Sequence, residues 1–206
     1  MIRNALALTV ACALLLLCAV RAQAQETITE PSTEKVFPAQ VKISDGGSEY
    51  ALKATGTSVR KKFFFKVYGI VHYMQDAPKG KEDEVFKAIL ADGKAKQITM
   101  EFARNVSVGQ IQDAYKESFS KCASAEEMKE ISPYVAQFTG YFDKDVKEND
   151  VFVLRWLPGG KIVATLIGKE NPPIVNMTFA RVLWTIWLGE DSIVDRDDLV
   201  GKLTGN

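Results

Sequence analysis

The order of strand and helix patterns along the chain constrains its fold more than any other feature of the sequence. Segments rich in β-branched and aromatic residues predict strands, and segments with apolar residues three or four apart predict helices. The predicted strands span residues 36–43, 49–59, 63–74, 97–102, 151–157 and 162–167. The predicted helices span residues 81–91, 107–122, 124–142, 177–188 and 195–203. Early strands, then helices and a late Pro-Gly-Gly hairpin predict an α+β fold with a mostly antiparallel sheet.

The longer helices carry recognisable start and stop signals. Ser107 and Ser124 each precede a Gln or Glu by three residues, which is the pattern of a capping box. Pro133 is expected to kink or split the second of these helices, because proline cannot donate a backbone hydrogen bond. A third, strongly apolar helix is predicted to begin after Asn176 and to end at Gly189.

The N-terminus resembles an export signal rather than part of the domain. Residues 1–24 contain a basic residue, an apolar run and a small-x-small site that ends at Ala24. This pattern predicts a signal peptide cleaved after Ala24, so the mature chain is expected to be periplasmic or secreted, without a stable membrane anchor. Residues 25–35 are polar and are predicted to form a flexible segment. Residues 36–206 are predicted to form one domain.

Composition excludes several classes of function. Loss of Arg3 and Arg21 with the signal peptide leaves 24 basic against 26 acidic residues, so no basic face for nucleic acid is expected. His72 is the single histidine and Cys122 the single cysteine beyond the signal peptide, too few for an ordinary zinc site. The glycines form neither a phosphate loop nor a dinucleotide fingerprint. No metal and no cofactor is therefore expected.

The stretch SVRKKFFFKVYGIVHYM, residues 58–74, places polar side chains inside an apolar segment. It is predicted to form two strands joined by a bend at the two lysines that follow Arg60. The alternate residues of the second strand are expected to belong to the core on the face opposite Tyr68; they are Phe63, Phe65, Val67 and Val71. The role of His72 is left open.

Arg60 and Tyr68 are the polar pair of most interest in this stretch. On one straight strand, eight residues would separate them by about 27 Å. With a bend between them they lie on neighbouring antiparallel strands, and their side chains can meet. A buried arginine without a partner costs several kcal/mol, so a buried Arg60 requires an anion, either internal or bound.

Two segments together resemble the exported bacterial branch of the chalcone isomerase-like family. ATGTSVRKKFFFKVYGIVHYM matches its small-residue strand, arginine, bend and lysine-valine-tyrosine strand, here at Gly56, Arg60, Tyr68 and Tyr73. FARVLWTIWLGEDSIVDRDDL supplies its Trp-Leu-Gly element, which begins at Trp187. The resemblance covers residues 37–203. It implies an open-faced β-sandwich of chalcone isomerase type, in which helices cover one side of a large antiparallel sheet and enclose an apolar cleft.

The resemblance also implies roles for particular residues. In the plant enzymes an arginine corresponding to Arg60 holds and polarises the chalcone. A threonine of those enzymes corresponds to Tyr68 here, and a hydroxyl residue corresponds to Ile186. The fatty-acid-binding branch of the family holds a carboxylate with an arginine and a tyrosine at positions like Arg60 and Tyr68. Tyr115 is a candidate for the helix tyrosine of the enzymes by residue type alone.

Three hypotheses follow from these patterns. The first is a binding protein for a small amphipathic carboxylate, similar to a fatty acid, held by Arg60, Tyr68, Tyr115 and Trp187. The second is an isomerase or intramolecular lyase that acts on a chalcone-like phenolic enone, with Arg60 as its catalytic residue. The third is a structural or interaction protein without a ligand. The departures at Tyr68 and Ile186 favour the first hypothesis over the second, and the oligomeric state stays open.

Overall fold

The structure is a computed structural model that describes residues 25–204, so the predicted signal peptide lies outside the described residues. The strands are β1 (Thr27–Glu30), β2 (Lys35–Pro38), β3 (Gln40–Asp45), β4 (Ser48–Lys62), β5 (Phe65–Met74), β6 (Lys96–Phe102), β7 (Val151–Leu157), β8 (Lys161–Leu166), β9 (Lys169–Glu170) and β10 (Ile174–Val175). The helices are α1 (Glu82–Leu90), α2 (Val108–Cys122), α3 (Ala125–Thr139), α4 (Met177–Leu188) and α5 (Arg196–Thr204). This content confirms the α+β class.

One antiparallel sheet of eight strands organises the domain. Its order is β10-β8-β7-β6-β5-β4-β3, with β9 paired to β8. The helices cover one face and form the main core with it, in which Ile70 and Leu154 of the sheet join Phe119 and Trp184 of the helices. A smaller apolar cluster on the other face includes Val71.

The expectation that residues 25–35 form a flexible segment is wrong. β1 pairs with β2 in an antiparallel hairpin, which forms a separate two-stranded sheet. Glu30 is only 2% exposed, and its carboxylate accepts backbone hydrogen bonds from Ser32 at 2.8 Å and Thr33 at 2.6 Å. Polar side chains of this segment therefore form hydrogen bonds with the backbone of a hairpin turn. Composition alone cannot distinguish such residues from polar residues that are only solvated.

The predicted helix signals are confirmed, with one exception. Both capping boxes form, at Ser107 and Ser124, and the Asn176 side chain accepts the Phe179 N–H at 2.7 Å. Pro133 does not split α3, because it lies on the exposed side of the helix, where water can bind the carbonyl left without a donor. Among residues 25–204, no helix combines the length and the apolar character needed to cross a membrane.

Candidate functional site

The β4–β5 hairpin places Arg60 directly opposite Tyr68. The two residues are cross-strand partners in the antiparallel register, which confirms that they lie on neighbouring strands. The turn differs from the predicted one. β4 continues through Lys62, and the chain reverses at Phe63 and Phe64 instead. A register shift between Arg60 and the next pair produces a bulge beside the site, and such bulges often alter side-chain direction near functional sites.

The prediction that Phe63 and Phe65 belong to the core is wrong. They are 85% and 59% exposed. Val67 is half-buried and packs against the main core, the cluster that contains Tyr68, so its predicted place on the opposite face is also wrong. Val71 is fully buried in the smaller cluster on the other face, as expected. The reason for the exposure of the phenylalanines is the length of the neighbouring strand. Pairing of β6 with β5 begins at Tyr68, so the residues before it project beyond the sheet and have no strand beside them on that edge.

A cleft of about 390 Å³ lies between this hairpin, β6 and the helices α2 and α4. All four predicted binding residues line it, namely Arg60, Tyr68, Tyr115 and Trp187. The apolar lining includes Met100, Phe102, Ile111, Phe152 and Ile186. The charged lining consists of Arg60, Lys62, Arg104, Glu117 and Lys121. One cleft therefore combines apolar walls with an excess of positive charge, although a ligand-binding role for these residues stays a prediction.

Tyr68 presents a neutral phenol inside the cleft. Its hydroxyl accepts the indole N–H of Trp187 at 3.0 Å, and its ring meets the Phe102 ring edge-on at 5.5 Å. Burial raises the pKa of Tyr68 to about 12, although the Trp187 hydrogen bond and the positive charge of Arg60 partly oppose this shift. Because an indole can only donate, the phenol hydrogen remains to be donated to an acceptor.

Arg60 is half-buried and retains much of its donor capacity. One guanidinium nitrogen, Nη1, donates to the Ile193 carbonyl at 2.6 Å. Among the ion pairs of residues 25–204, none includes Arg60. The acidic residue of the cleft rim, Glu117, pairs with Lys121 at 2.6 Å instead. Since a guanidinium carries five N–H donors, Arg60 can bind an anion without breaking its existing contact.

Tyr115 belongs to the wall behind the polar pair. Its ring stacks on Phe142 with centroids 5.1 Å apart and meets Trp187 edge-on at 6.1 Å. Burial raises the pKa of Tyr115 well above its ordinary value, and the neighbouring Tyr68 adds to the effect. Tyr115 therefore holds the Trp187 indole in place with a neutral ring.

His72 lies outside the cleft and has a structural role. It is fully buried on β5, with Nδ1 2.8 Å from the Thr55 hydroxyl, which donates to the Leu199 carbonyl at 2.6 Å. Burial lowers the pKa of His72 to about 3, and the charge of Lys96 contributes. The imidazole is thus neutral and joins two strands to α5.

Several cleft residues are not among those that the sequence patterns predict. Ser118 follows Tyr115 by three residues on α2, so helical spacing could have placed it on the same face. Arg104 follows β6 in a loop, and its guanidinium lies 4.7 Å above the Phe65 ring. No local pattern brings Arg104 to the cleft, because its position depends on how far the β4–β5 hairpin extends.

Comparisons with known proteins agree with this architecture. Residues 33–199 match a family model described as chalcone isomerase-like. A search of curated proteins finds no match. Among solved structures, the chain is similar to a fatty-acid binding protein of Arabidopsis thaliana, AtFAP1. The two chains are 16% identical with a TM-score of 0.67, and the match covers 85% of this chain and 96% of the other. The predicted fold is confirmed.

Proposed function

The chain belongs to the chalcone isomerase-like family, and from this starting point we propose that it binds a small amphipathic carboxylate, similar to a fatty acid, in the cleft. One observation carries the proposal. Arg60 and Tyr68 face each other across a hairpin at the cleft, and Arg60 forms no ion pair among the described residues. The similarity in fold to a fatty-acid binding protein, AtFAP1, supports the same class of ligand.

The polar end of the cleft suits a carboxylate. The guanidinium of Arg60 can supply two parallel N–H donors, and the phenol of Tyr68 supplies a third from the opposite strand. Tyr68 is a neutral donor at physiological pH, as an ordinary tyrosine is, and burial raises its pKa further, to about 12, despite the nearby charge of Arg60. Lys62 and Arg104 add positive charge at the rim.

The apolar end of the cleft suits an acyl chain. Its walls come from β6, β7, α2 and α4, and they include Met100, Phe102, Phe152 and Ile186. A volume of about 390 Å³ lies within the usual range for small-molecule sites. Each buried methylene contributes roughly 0.8 kcal/mol to binding, so apolar contact supplies affinity while Arg60 and Tyr68 supply orientation.

The geometry gives less support to the isomerase alternative. Ile186 lines the cleft at the position where the plant enzymes carry a hydroxyl residue, so that contact with a phenolic substrate is missing. Tyr68 occupies the place of their threonine and fills part of the cleft with its ring. A chalcone cyclisation assay tests this alternative directly, and a turnover that disappears in Arg60→Ala would establish it.

Export remains part of the proposal. The predicted cleavage after Ala24 would release a chain that begins two residues before β1. Sequencing the N-terminus of protein recovered outside the cytoplasm tests this point, and a mature N-terminus beyond Thr27 would contradict it.

Native mass spectrometry of mature protein purified under mild conditions tests the ligand. We expect a co-purified acyl carboxylate, or uptake of an added fatty acid by the empty protein. Arg60→Ala removes a charged hydrogen bond and is expected to weaken binding roughly 10- to 100-fold. Arg155→Ala is the matched control, because Arg155 contacts Gln97 and Glu170 away from the cleft.

Two results would overturn the binding proposal. One is wild-type protein that neither carries nor takes up a fatty acid. The other is an Arg60→Ala variant that binds as tightly as the Arg155→Ala control. A severe loss of melting temperature in Arg60→Ala would instead assign Arg60 a structural role, in agreement with the hypothesis of a protein without a ligand.

A further inference from the structure

Three consecutive phenylalanines form the end of the β4–β5 hairpin, and we refer to them as the aromatic tip. Phe63 is 85%, Phe64 99% and Phe65 59% exposed. Since the neighbouring strand β6 ends at Phe102, opposite Tyr68, the aromatic tip projects beyond the sheet. Single exposed apolar side chains are common on protein surfaces, but three large adjacent ones mark a surface that is covered in use.

The turn places a bulky side chain at a position where the backbone conformation is unfavourable for it. Phe63 has a φ of 57°, in the left-handed region that bulky residues rarely adopt. The β3–β4 hairpin meets the same demand with glycines, at Gly46 with a φ of 55° and Gly47 with 82°. A glycine at position 63 would make a more relaxed turn. The aromatic side chain at this position therefore has a use other than turn formation.

Positive charge surrounds the aromatic tip. Lys61, Lys62 and Lys66 flank it in sequence and are exposed, and no acidic residue lies within residues 58–74. Arg104 adds a fourth cation through its contact with the Phe65 ring. Aromatic rings bordered by lysines and arginines fit the boundary of an anionic bilayer, where rings enter the acyl region and cations bind the headgroups.

We propose that the aromatic tip docks the protein on a membrane surface that contains anionic phospholipid. The partner is a lipid surface because both parts of the tip match its chemistry, the exposed rings by apolar contact and the flanking cations by charge complementarity. This docking does not depend on the ligand of the cleft and goes beyond it.

The position of the tip gives the docking a consequence for the cleft. The lining of the cleft includes two residues of the aromatic tip, Phe63 and Phe65, and the adjacent Lys62. A docked protein therefore has its cleft beside the lipid, where an amphipathic carboxylate could pass between bilayer and protein without crossing water. This second step rests on the proposed function, whereas the docking itself does not.

Vesicle binding by the mature chain, without added fatty acid, tests the docking. We expect co-sedimentation with phosphatidylcholine vesicles that contain phosphatidylglycerol, weaker binding to pure phosphatidylcholine, and loss of binding at high salt. Phe64→Ser is expected to weaken binding about tenfold or more, because it removes the most exposed ring. Lys61→Gln should weaken only the anionic component, by about fivefold.

Matched variants distinguish docking by the aromatic tip from a general effect of exposed apolar residues and from ligand binding in the cleft. Val175→Ser changes an apolar residue that is 60% exposed on another part of the surface, and it should leave vesicle binding unchanged. Phe64 is absent from the cleft lining, so Phe64→Ser should keep fatty-acid uptake while it loses vesicle binding. Wild-type protein that binds anionic vesicles but takes up no fatty acid would count against the ligand and not against the docking.

Three outcomes would overturn the docking proposal. The first is no binding to anionic vesicles at low salt. The second is an equal loss of binding in Phe64→Ser and Val175→Ser. The third is a dimer, abolished by Phe64→Ser, in a protein that does not bind vesicles, because the aromatic tip would then cover a second copy of the chain.

Discussion

Trp187 donates its indole N–H to the hydroxyl of Tyr68 across 3.0 Å, and both side chains are almost fully buried. The bond joins α4 to β5 at the inner wall of the cleft, next to Arg60. It fixes the Tyr68 oxygen and leaves the phenol hydrogen for another acceptor. The same interaction therefore contributes to the stability of the helical layer and orients a group of the proposed binding site.

Tyr68→Phe is expected to affect both stability and binding. Removing the hydroxyl leaves the buried Trp187 N–H without its partner, which costs about 1 to 3 kcal/mol of unfolding free energy. Fatty-acid affinity should fall as well, because one of three donors to the carboxylate is lost. Chemical denaturation and a ligand titration measure the two effects separately.

A double-mutant cycle with Trp187→Phe provides the control. In the double variant neither polar group is left unsatisfied, so its destabilisation should be smaller than the sum of the two single changes. Additive effects on stability would show that the 3.0 Å contact contributes nothing. Unchanged fatty-acid affinity in Tyr68→Phe would remove Tyr68 from the proposed site.

Ligand chain length should control affinity in a defined way. Each added methylene that enters the cleft contributes roughly 0.8 kcal/mol, which is about a fourfold decrease in Kd. Because the cleft holds about 390 Å³, the series should reach a plateau once the apolar walls are covered. Isothermal titration of saturated fatty acids of increasing length measures this dependence, with the corresponding methyl esters as the control for the carboxylate.

Two results of that titration would contradict the proposed arrangement. Methyl esters that bind as tightly as the free acids would show that Arg60 does not recognise a carboxylate. An affinity independent of chain length would show that the acyl chain lies outside the cleft.

Much of the fold and part of the site can be predicted from the sequence, because the signals involved are local. The capping boxes at Ser107 and Ser124 depend on residues three apart, and the helix spacing that follows them is equally short-range. A bend between Arg60 and Tyr68 predicts that they lie on neighbouring strands, and the structure pairs them directly.

The remaining features depend on contacts that no local pattern contains. The phenylalanines around position 63 have the composition of a core strand, yet they are exposed because β6 starts to pair only at Tyr68. Glu30 lies in a segment with the composition of a flexible tail, yet it is buried and its carboxylate accepts the backbone hydrogen bonds of the β1–β2 turn. The Ile193 carbonyl reaches Arg60 from 133 residues away, through the packing of the segment that follows α4.

Gly56 is predicted to be intolerant of any side chain. A Cβ at this position would lie 2.0 Å from the Asp198 carbonyl oxygen and 2.7 Å from the Leu199 carbonyl carbon, both in the backbone of α5. Gly56→Ala must therefore displace the helix, and we expect a loss of about 3 kcal/mol in unfolding free energy. Thermal unfolding should show a fall of roughly 6–12 °C in Tm.

Gly201 provides the matched control on the same helix. A Cβ there meets no atom within 4 Å, and alanine is a better helix former than glycine. Gly201→Ala is expected to raise stability by up to about 1 kcal/mol. Similar Tm values for wild type and Gly56→Ala would show that the close approach of β4 and α5 is not needed.

His72 should make the folded protein sensitive to acid. Its pKa is about 3 in the folded state, because burial and the nearby Lys96 disfavour the imidazolium, whereas an unfolded histidine titrates at about 6.5. Above pH 6.5 the residue is neutral in both states and costs nothing. As the pH falls from about 6.5 towards 3, only the unfolded chain takes up the proton. The free energy of unfolding therefore falls by up to about 1.4 kcal/mol per pH unit.

Comparison with His72→Asn isolates this effect from the titration of carboxylates. Asparagine cannot titrate, and its amide can still reach the Thr55 hydroxyl that contacts His72 Nδ1. The variant should be less stable than the wild type at pH 7.5, because the smaller side chain leaves a cavity. Its disadvantage should shrink steadily as denaturation is repeated towards pH 4.5. A constant difference between the two proteins across that range would show that His72 takes up its proton at the same pH in the folded protein as in the unfolded chain, which would contradict its buried, neutral position beside Thr55.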